Sequence, residues 1–355
     1  MTTYLLAGGG TAGHVNPLLA VADRLRDREA DANVLVLGTR EGLEARLVPE
    51  RGYELLTIPR LPFPRRPNGA AMRFPAQWRR AVALVRGMIV DREVDAVIGF
   101  GGYASAPAYR AAKRAGIPLV IHEANAKPGM ANKLGSRYTS YVGVAFEGTP
   151  IRHARFVGMP LRREIETLDR ATARTDALEL FGLEPGMPTL LATGGSLGAR
   201  SINRTLIASA QRLTATGFQV LHVQGGRREF TDPGVAHYHL LDYCDRMDLA
   251  LAVADLAVAR AGAATVSEQS ALGIPSVYVP YPVGNGEQRF NAAGVVRAGG
   301  GILVEDSAFV PSWLEENLIP LMLEPERRDS MARAAAGIGV LDGADQMVEL
   351  IHSAM

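Results

Sequence analysis

At 355 residues and 47% hydrophobic content, the chain is long enough to bury a core in each of two domains. A net charge of +1 predicts no polyanionic partner such as nucleic acid, and a single cysteine, Cys244, leaves neither an internal disulfide nor a thiolate metal cage, which fits a reducing compartment. No signal peptide is expected ahead of the first strand, and no apolar run approaches the roughly 18–20 residues that span a bilayer, so any membrane contact is expected to be peripheral.

In chain order, the first half alternates strand and helix signals. Thr3–Ala7, Asn33–Leu37, Ala96–Gly99, Leu119–Ile121 and Tyr141–Val144 are short β-favouring runs, while Pro17–Arg28, Pro107–Ala115 and Gly129–Ser136 carry helical spacing or boundaries. Glycine and proline interrupt the pattern at Gly158–Leu161, which marks the expected link between domains, 1–158 and 159–340. The scheme then repeats, with strands at Thr189–Ala192, Gln219–Val223, Leu256–Ala259 and Ser276–Val279 and helices at Ser201–Thr214, Thr265–Leu272 and Gln288–Ala298. A last helix over Ala344–Ser353, within 341–355, closes the chain. Alternation of this kind predicts an α/β protein with parallel sheets.

Two glycine-rich turns fall between a strand and a helix, Gly8–His14 (GGGTAGH) and Gly194–Arg200 (GGSLGAR). Glycine there lets the backbone approach an anion, and the helix N-terminus offers free N–H groups to it. Tight turns without a ligand would read the same. A dinucleotide fold is the sharper competitor, since Gly8, Gly10 and Gly13 have GxGxxG spacing, but the second strand ends in Leu37-Gly38-Thr39-Arg40, without the carboxylate a ribose needs. A third segment, Arg260–Glu268 (RAGAATVSE), puts a hydroxyl at a helix start and a carboxylate one turn inside. That arrangement suits a diphosphate followed by sugar hydroxyls, or a helix capped with Glu268 favouring the dipole.

GGGTAGHVNP, GFGGYAS, HEAN, GMPLR, GGSLGAR, ARAGAATVSE and NGEQRFNA occur in this order along nearly the whole chain. The set resembles the MurG family of peptidoglycan glycosyltransferases. The resemblance implies a GT-B fold of two Rossmann-like domains facing a cleft, with the lipid acceptor at the N-terminal domain and the UDP-sugar mainly at the C-terminal one. It also implies inverting transfer of N-acetylglucosamine from UDP-N-acetylglucosamine to the muramic acid 4-hydroxyl of undecaprenyl-diphospho-muramoylpentapeptide, at the cytoplasmic face of the plasma membrane. Carried over by motif, Thr11, Ala12, Gly13 and Asn125 border the donor sugar and diphosphate. Arg162, Ser196, Cys244, Ala263, Ala264, Thr265, Glu268 and Gln288 match further donor-contacting positions. The chain departs from the family at Ala12, Met159, Lys127-Pro128 and Glu287, the last replacing one of a glutamine pair.

Transfer needs a base for the acceptor hydroxyl and positive potential for the departing UDP. His14 is the first candidate base, because a helix N-terminus disfavours imidazolium and keeps a proton acceptor available; substrate orientation is its other reading. Glu123 is the second, and its neighbour His122 reads as a strand-end structural residue. No metal or other cofactor is expected: Asp-x-Asp is absent from the sequence, His237 and His239 are the only close histidine pair, and Arg162, Ser196, Thr265 and helix N-termini supply charge and hydrogen bonds. Arg60–Val90 holds seven arginines and no acidic residue. A helix beginning near Ala76 would place Trp78, Val82, Val85 and Ile89 in an apolar stripe flanked by Arg79, Arg80 and Arg86, suited to an anionic membrane surface or to core packing. Three alternatives stay open: a GT-B enzyme acting on a diacylglycerol or natural-product acceptor, a nicotinamide-dependent oxidoreductase, and a catalytically silent nucleotide-sugar binder.

Overall fold

The computed structural model describes residues 1–64, 69–226, 229–283 and 286–355. Arg65 and Arg66 of the basic segment and Asn285 of the NGEQRFNA motif lie outside the described residues. The chain divides into two units, Met1–Arg162 with Leu341–Met355, and Arg163–Val340.

Among the described residues the first unit carries seven strands: β1 (Thr3–Ala7), β2 (Asn33–Gly38), β3 (Glu54–Thr57), β4 (Ala96–Gly99), β5 (Leu119–Glu123), β6 (Val142–Val144) and β7 (Ala154–Phe156). They form one parallel sheet in the order β3-β2-β1-β4-β5-β6-β7. β1 and β4 are buried along their whole length, which is why they read as continuous apolar runs rather than as alternation. Strand order reverses between β1 and β4, and such a switch point opens a crevice at the strands' carboxyl ends. The turns Gly8–Thr11 and Phe100–Ala104 lie there. The Ser105 hydroxyl oxygen ties them, lying 2.7 Å from the carbonyl oxygens of both Ala7 and Gly101.

The second unit repeats the plan with β8 (Thr189–Thr193), β9 (Gln219–Val223), β10 (Tyr238–Leu241), β11 (Ala254–Ala259), β12 (Ser276–Tyr278) and β13 (Gly301–Leu303), all parallel, in the order β10-β9-β8-β11-β12-β13. Its switch point is at β8 and β11. The turns Gly194–Ala199 and Arg260–Gly262 leave from those strand ends.

The expected link at Gly158–Leu161 belongs to the first unit. Met159 and Leu161 are buried, the Gly158 carbonyl accepts from His122 Nε2 (3.1 Å), and the helix Gly343–His352 packs so closely on Met159 that Gly343 has no room for a Cβ. That terminal helix is likewise part of the first unit rather than a separate closing piece. Met347, Val348, Leu350 and Ile351 enter one core with Val15, Leu18, Leu19 and Leu25 of the helix Ala12–Arg28, and Arg24 and Arg28 both pair with Asp345.

On the helix Gly69–Asp91, which starts ahead of the expected Ala76, core packing is the reading of the stripe that holds. Val82, Val85 and Ile89 are buried in a core shared with Ala104, Ala108, Ala111 and Ala112, so they face the protein. A core-facing helix and a membrane-facing one have the same apolar period, and here packing on the helix Ser105–Ala115 decides. Trp78 only leans on that core. It clusters instead with Phe63 and Phe74, ring centroids 5.2–6.1 Å apart, beside exposed Met72 and exposed Arg79, Arg80 and Arg86.

Candidate active site

The first glycine turn feeds directly into the helix Ala12–Arg28, whose N-cap, Thr11, makes no side-chain cap bond. His14 therefore stands in the first helical turn. Its Nδ1 lies 3.2 Å from the carbonyl oxygen of Gly9 and 3.2 Å from Thr11 Oγ1. A carbonyl only accepts, so a hydrogen bond to Gly9 assigns the proton to Nδ1 and the lone pair to Nε2. That edge of the ring lies over Gly101, where a Cβ would come within 3.1 Å of Nε2. Burial holds the imidazole below the ordinary histidine range, opposed by the Glu123 charge, the bond to Gly9 and the Glu44 charge. Burial, then, rather than the helix end alone, keeps His14 neutral.

Glu123 ends β5, 2% exposed. Its carboxylate accepts from the Asn125 N–H (2.9 Å), the Gly129 N–H (2.9 Å) and Asn132 Nδ2 (2.9 Å), while Asn132 Oδ1 accepts from the Tyr109 hydroxyl (2.6 Å). These bonds use the carboxylate to shape the loop that carries Asn125. His122 is fully buried, donates Nε2–H to Gly158, and is pushed down to about 4 chiefly by burial.

Of the sequence-predicted donor residues, Thr11, Ala12, Gly13, Asn125 and Arg162 belong to the first unit, where Thr11 and Ala12 are exposed and the others half-buried. In the second unit, a cavity of about 640 Å³ opens at the β8/β11 switch point, with Thr265 and Gln288 in its lining beside Gly195, Ser201, Asn203 and Arg260. Two helices begin around it, Arg200–Ala208 after Ala199 and Ala263–Ala271 after Gly262, and neither has a side-chain cap bond. Their first N–H groups are thus available to an anion. Gly262, not a hydroxyl residue, caps the second helix, so Thr265 sits at its third position. Ala263, Ala264 and half-buried Glu268 share that helix. Ser196 is exposed in the turn, half-buried Cys244 follows β10, and neither lines the cavity. Gln288 Oε1 accepts from the Tyr281 N–H (2.8 Å), fixing the amide in place.

Two features escaped the sequence reading. Arg260 is braced by Val279 and Pro280 carbonyls (3.1 Å each), by Ser201 Oγ (3.0 Å) and by Asp306, which fixes an Arg260–Asp306 ion pair at the cavity wall. Its place at the end of a buried strand was the available signal. The other is Glu44, fully buried against the first glycine turn. In sequence it looks like a solvated residue opening a helix, and only Gly38 and Gly42 on either side hint that space is being cleared.

Two parallel α/β units, each with a glycine turn and an uncapped helix at its switch point, have the architecture of a nucleotide-sugar glycosyltransferase. The model of the glycosyltransferase family 28 N-terminal domain matches residues 4–144, and that of the C-terminal domain matches 189–347. The UDP-N-acetylglucosamine--N-acetylmuramyl-(pentapeptide) pyrophosphoryl-undecaprenol N-acetylglucosamine transferase of Leifsonia xyli is 66% identical over 100% of this chain and 99% of its own length. Its counterpart from Streptomyces coelicolor is 50% identical over 99% and 98%. The crystal structure of Acinetobacter baumannii MurG superposes with a TM-score of 0.82 at 27% identity, covering 99% of this chain and all of that one. The chain belongs to glycosyltransferase family 28 and, within it, to the MurG family.

Proposed function

We propose that this chain moves N-acetylglucosamine from UDP-N-acetylglucosamine to the muramic acid 4-hydroxyl of an undecaprenyl-diphosphate-linked muramoyl-pentapeptide, with inversion at the sugar carbon. The relatives' names supply the substrates. The observation that carries the chemistry is His14, neutral, with Nδ1–H tied to a carbonyl and Nε2 turned toward a glycine. The acceptor oxygen attacks C1 of the donor sugar and gives its proton to Nε2. The bond from C1 to the diphosphate oxygen breaks, and its electron pair leaves with UDP. Glu123 has its carboxylate committed to three donors, which favours His14 as the base.

In the second unit, the uncapped helix starts, Thr265 and Arg260 receive the diphosphate and stabilise the charge that develops on it. Glu268 accepts from sugar hydroxyls, and Gln288 orients the donor. Asn125, Arg162, Ser196 and the Thr11–Gly13 turn add donor contacts. The cluster of Phe63, Phe74 and Trp78, with Met72 and the three exposed arginines, seats the protein on the anionic cytoplasmic face of the membrane, where the acceptor's lipid lies. No helix among the described residues is long and apolar enough to cross a membrane.

The test offers purified protein UDP-N-acetylglucosamine with the undecaprenyl-diphosphate-linked acceptor and, separately, with diacylglycerol, and weighs the products. A mass gain of one N-acetylhexosamine on the first alone is expected; transfer to diacylglycerol alone overturns the reading.

A further inference from the structure

Glu44 is a carboxylate at 0% exposure, and glycosyl transfer as described above makes no use of it. Burying a carboxylate is expensive unless donors surround it, and donors do. Its Oε1 accepts from the Thr39 N–H (2.9 Å) and the Thr39 hydroxyl (2.8 Å), and its Oε2 accepts from the Gly10 N–H (2.8 Å). Three glycines from three segments make the room. A Cβ on Gly9 in the turn, Gly38 at the end of β2 or Gly42 before the helix Glu44–Glu50 would collide with the Glu44 side chain. Gly9 and Gly10 also hold φ of +152° and +89°, a conformation that side chains resist, so the turn is shaped to present this particular peptide.

The Gly10 N–H and the Gly9 carbonyl belong to one peptide unit. The N–H points at Glu44, and the carbonyl takes Nδ1–H of His14. We propose that Glu44 is a positioning residue for His14, acting through the Gly9–Gly10 peptide: carboxylate, peptide and imidazole form one hydrogen-bonded line that fixes the ring's tautomer and leaves Nε2 as the base. A charged acceptor on the N–H polarises the amide and makes its carbonyl a stronger acceptor. The line then favours the imidazolium that forms when Nε2 takes a proton, as a carboxylate bonded directly to a histidine would. The charged and titratable groups acting on His14 are Glu44, Glu123 and His122, and the direction of the Glu44 effect on the ring is upward. The inference rests on His14 as the base.

The experiment reads tautomer and turnover separately, so that either idea can fail alone. Nitrogen spectra of the full-length protein with labelled histidine, the His14 signals identified by their loss in His14→Gln, should place the neutral proton on Nδ1. Finding it on Nε2 overturns the proposal, even if every Glu44 variant fails to fold. In Glu44→Gln, turnover should fall roughly 10- to 100-fold, by analogy with the loss of a partner that orients a metal-binding histidine, with the KM for UDP-N-acetylglucosamine unchanged. The acid limb of kcat should move to lower pH, and the Nε2–H tautomer should grow. Thr39→Val removes a donor to Glu44 and leaves the Gly10 bond, so it should lower thermal stability and spare the tautomer. A folded Glu44→Gln protein with the parent's tautomer, pH profile and turnover overturns the proposal. Full turnover in His14→Gln sinks the base assignment instead, while the tautomer comparison still decides the line itself.

Discussion

The two glycine turns share a grammar and differ in what stands behind them. In the first unit a buried carboxylate takes the turn's N–H at Gly10, and the peptide so held faces a neutral histidine. In the second, backbone and neutral groups hold the turn: Thr193 Oγ1 accepts from the Gly195 N–H (3.3 Å), the Ser196 carbonyl accepts from the Gly226 N–H (3.2 Å), and Asn203 Nδ2 donates to the Gln224 carbonyl (2.9 Å). Gly198 packs so tightly on Gln224 and Gly225 that any side chain would collide with backbone. Charge of both signs lines the cavity there: Arg200 pairs with Glu229, Arg260 pairs with Asp306, and Arg204 adds a third guanidinium. On the proposed function, the same strand, turn and helix serve a proton acceptor in one unit and an anion in the other, with a lone buried carboxylate behind the first turn and paired charges around the second.

The sharpest way to break that division is His14→Ala, which should lower turnover by roughly 10²–10⁴-fold and leave donor affinity near the parent's in calorimetry. Donor affinity falling in step with turnover would move His14 from proton transfer to substrate binding. Next in size is a pH effect that treats the units alike. His122 in the first and His222 in the second are both buried, and both are pushed from 6.5 down to about 4, mainly by burial. Between those values the unfolded chain binds protons that the folded chain refuses, so stability falls as pH drops through the window, by about 3 kcal/mol per histidine once pH reaches the lower value. Denaturant titrations at pH 7 and pH 4.5 check this, and equal unfolding free energies would contradict it.

On the anion side, Glu268→Ala should weaken UDP-N-acetylglucosamine binding by roughly 1–3 kcal/mol with the fold intact, and calorimetry with unchanged affinity would remove Glu268 from the site. The smallest effect per residue is expected at the first unit's surface. Replacing Arg79, Arg80 and Arg86 with glutamine should cost about 1 kcal/mol each in binding to anionic vesicles, an effect that added salt shrinks. Activity on a truncated, water-soluble acceptor should be spared. Vesicle binding equal to the parent's would leave these arginines as ordinary solvated charges.

The strands and glycine turns that flank both switch points were legible in the sequence, because buried parallel strands read as apolar runs and glycine turns punctuate them; the strand order was not. The edge strands β3 and β7 were not. Glu54–Thr57 has no fully buried residue and Ala154–Phe156 is exposed throughout, so neither carries an apolar signature. The first helix was placed at Pro17, where proline usually opens a helix, yet it begins at Ala12 with Pro17 inside it. Alanine and glycine after the turn show no period. At the site, His14 and the Thr265 helix announced themselves through motifs. Glu44 and the Arg260–Ser201–Asp306 bracket did not, since each depends on residues far apart in the chain that meet only after folding.

The terminal helix Gly343–His352 gives the chain an order of assembly. Residues Arg163–Val340 are contiguous and complete before synthesis ends, whereas the core around Val15, Leu18 and Leu25 waits for Met347, Val348 and Ile351. On the ribosome, the unit made first is therefore the one finished last. A nascent or prematurely terminated chain would hold an open apolar seam along the helix Ala12–Arg28, the helix that carries His14, so a chain lacking its last residues is expected to be a target for chaperones and proteases rather than a slow enzyme.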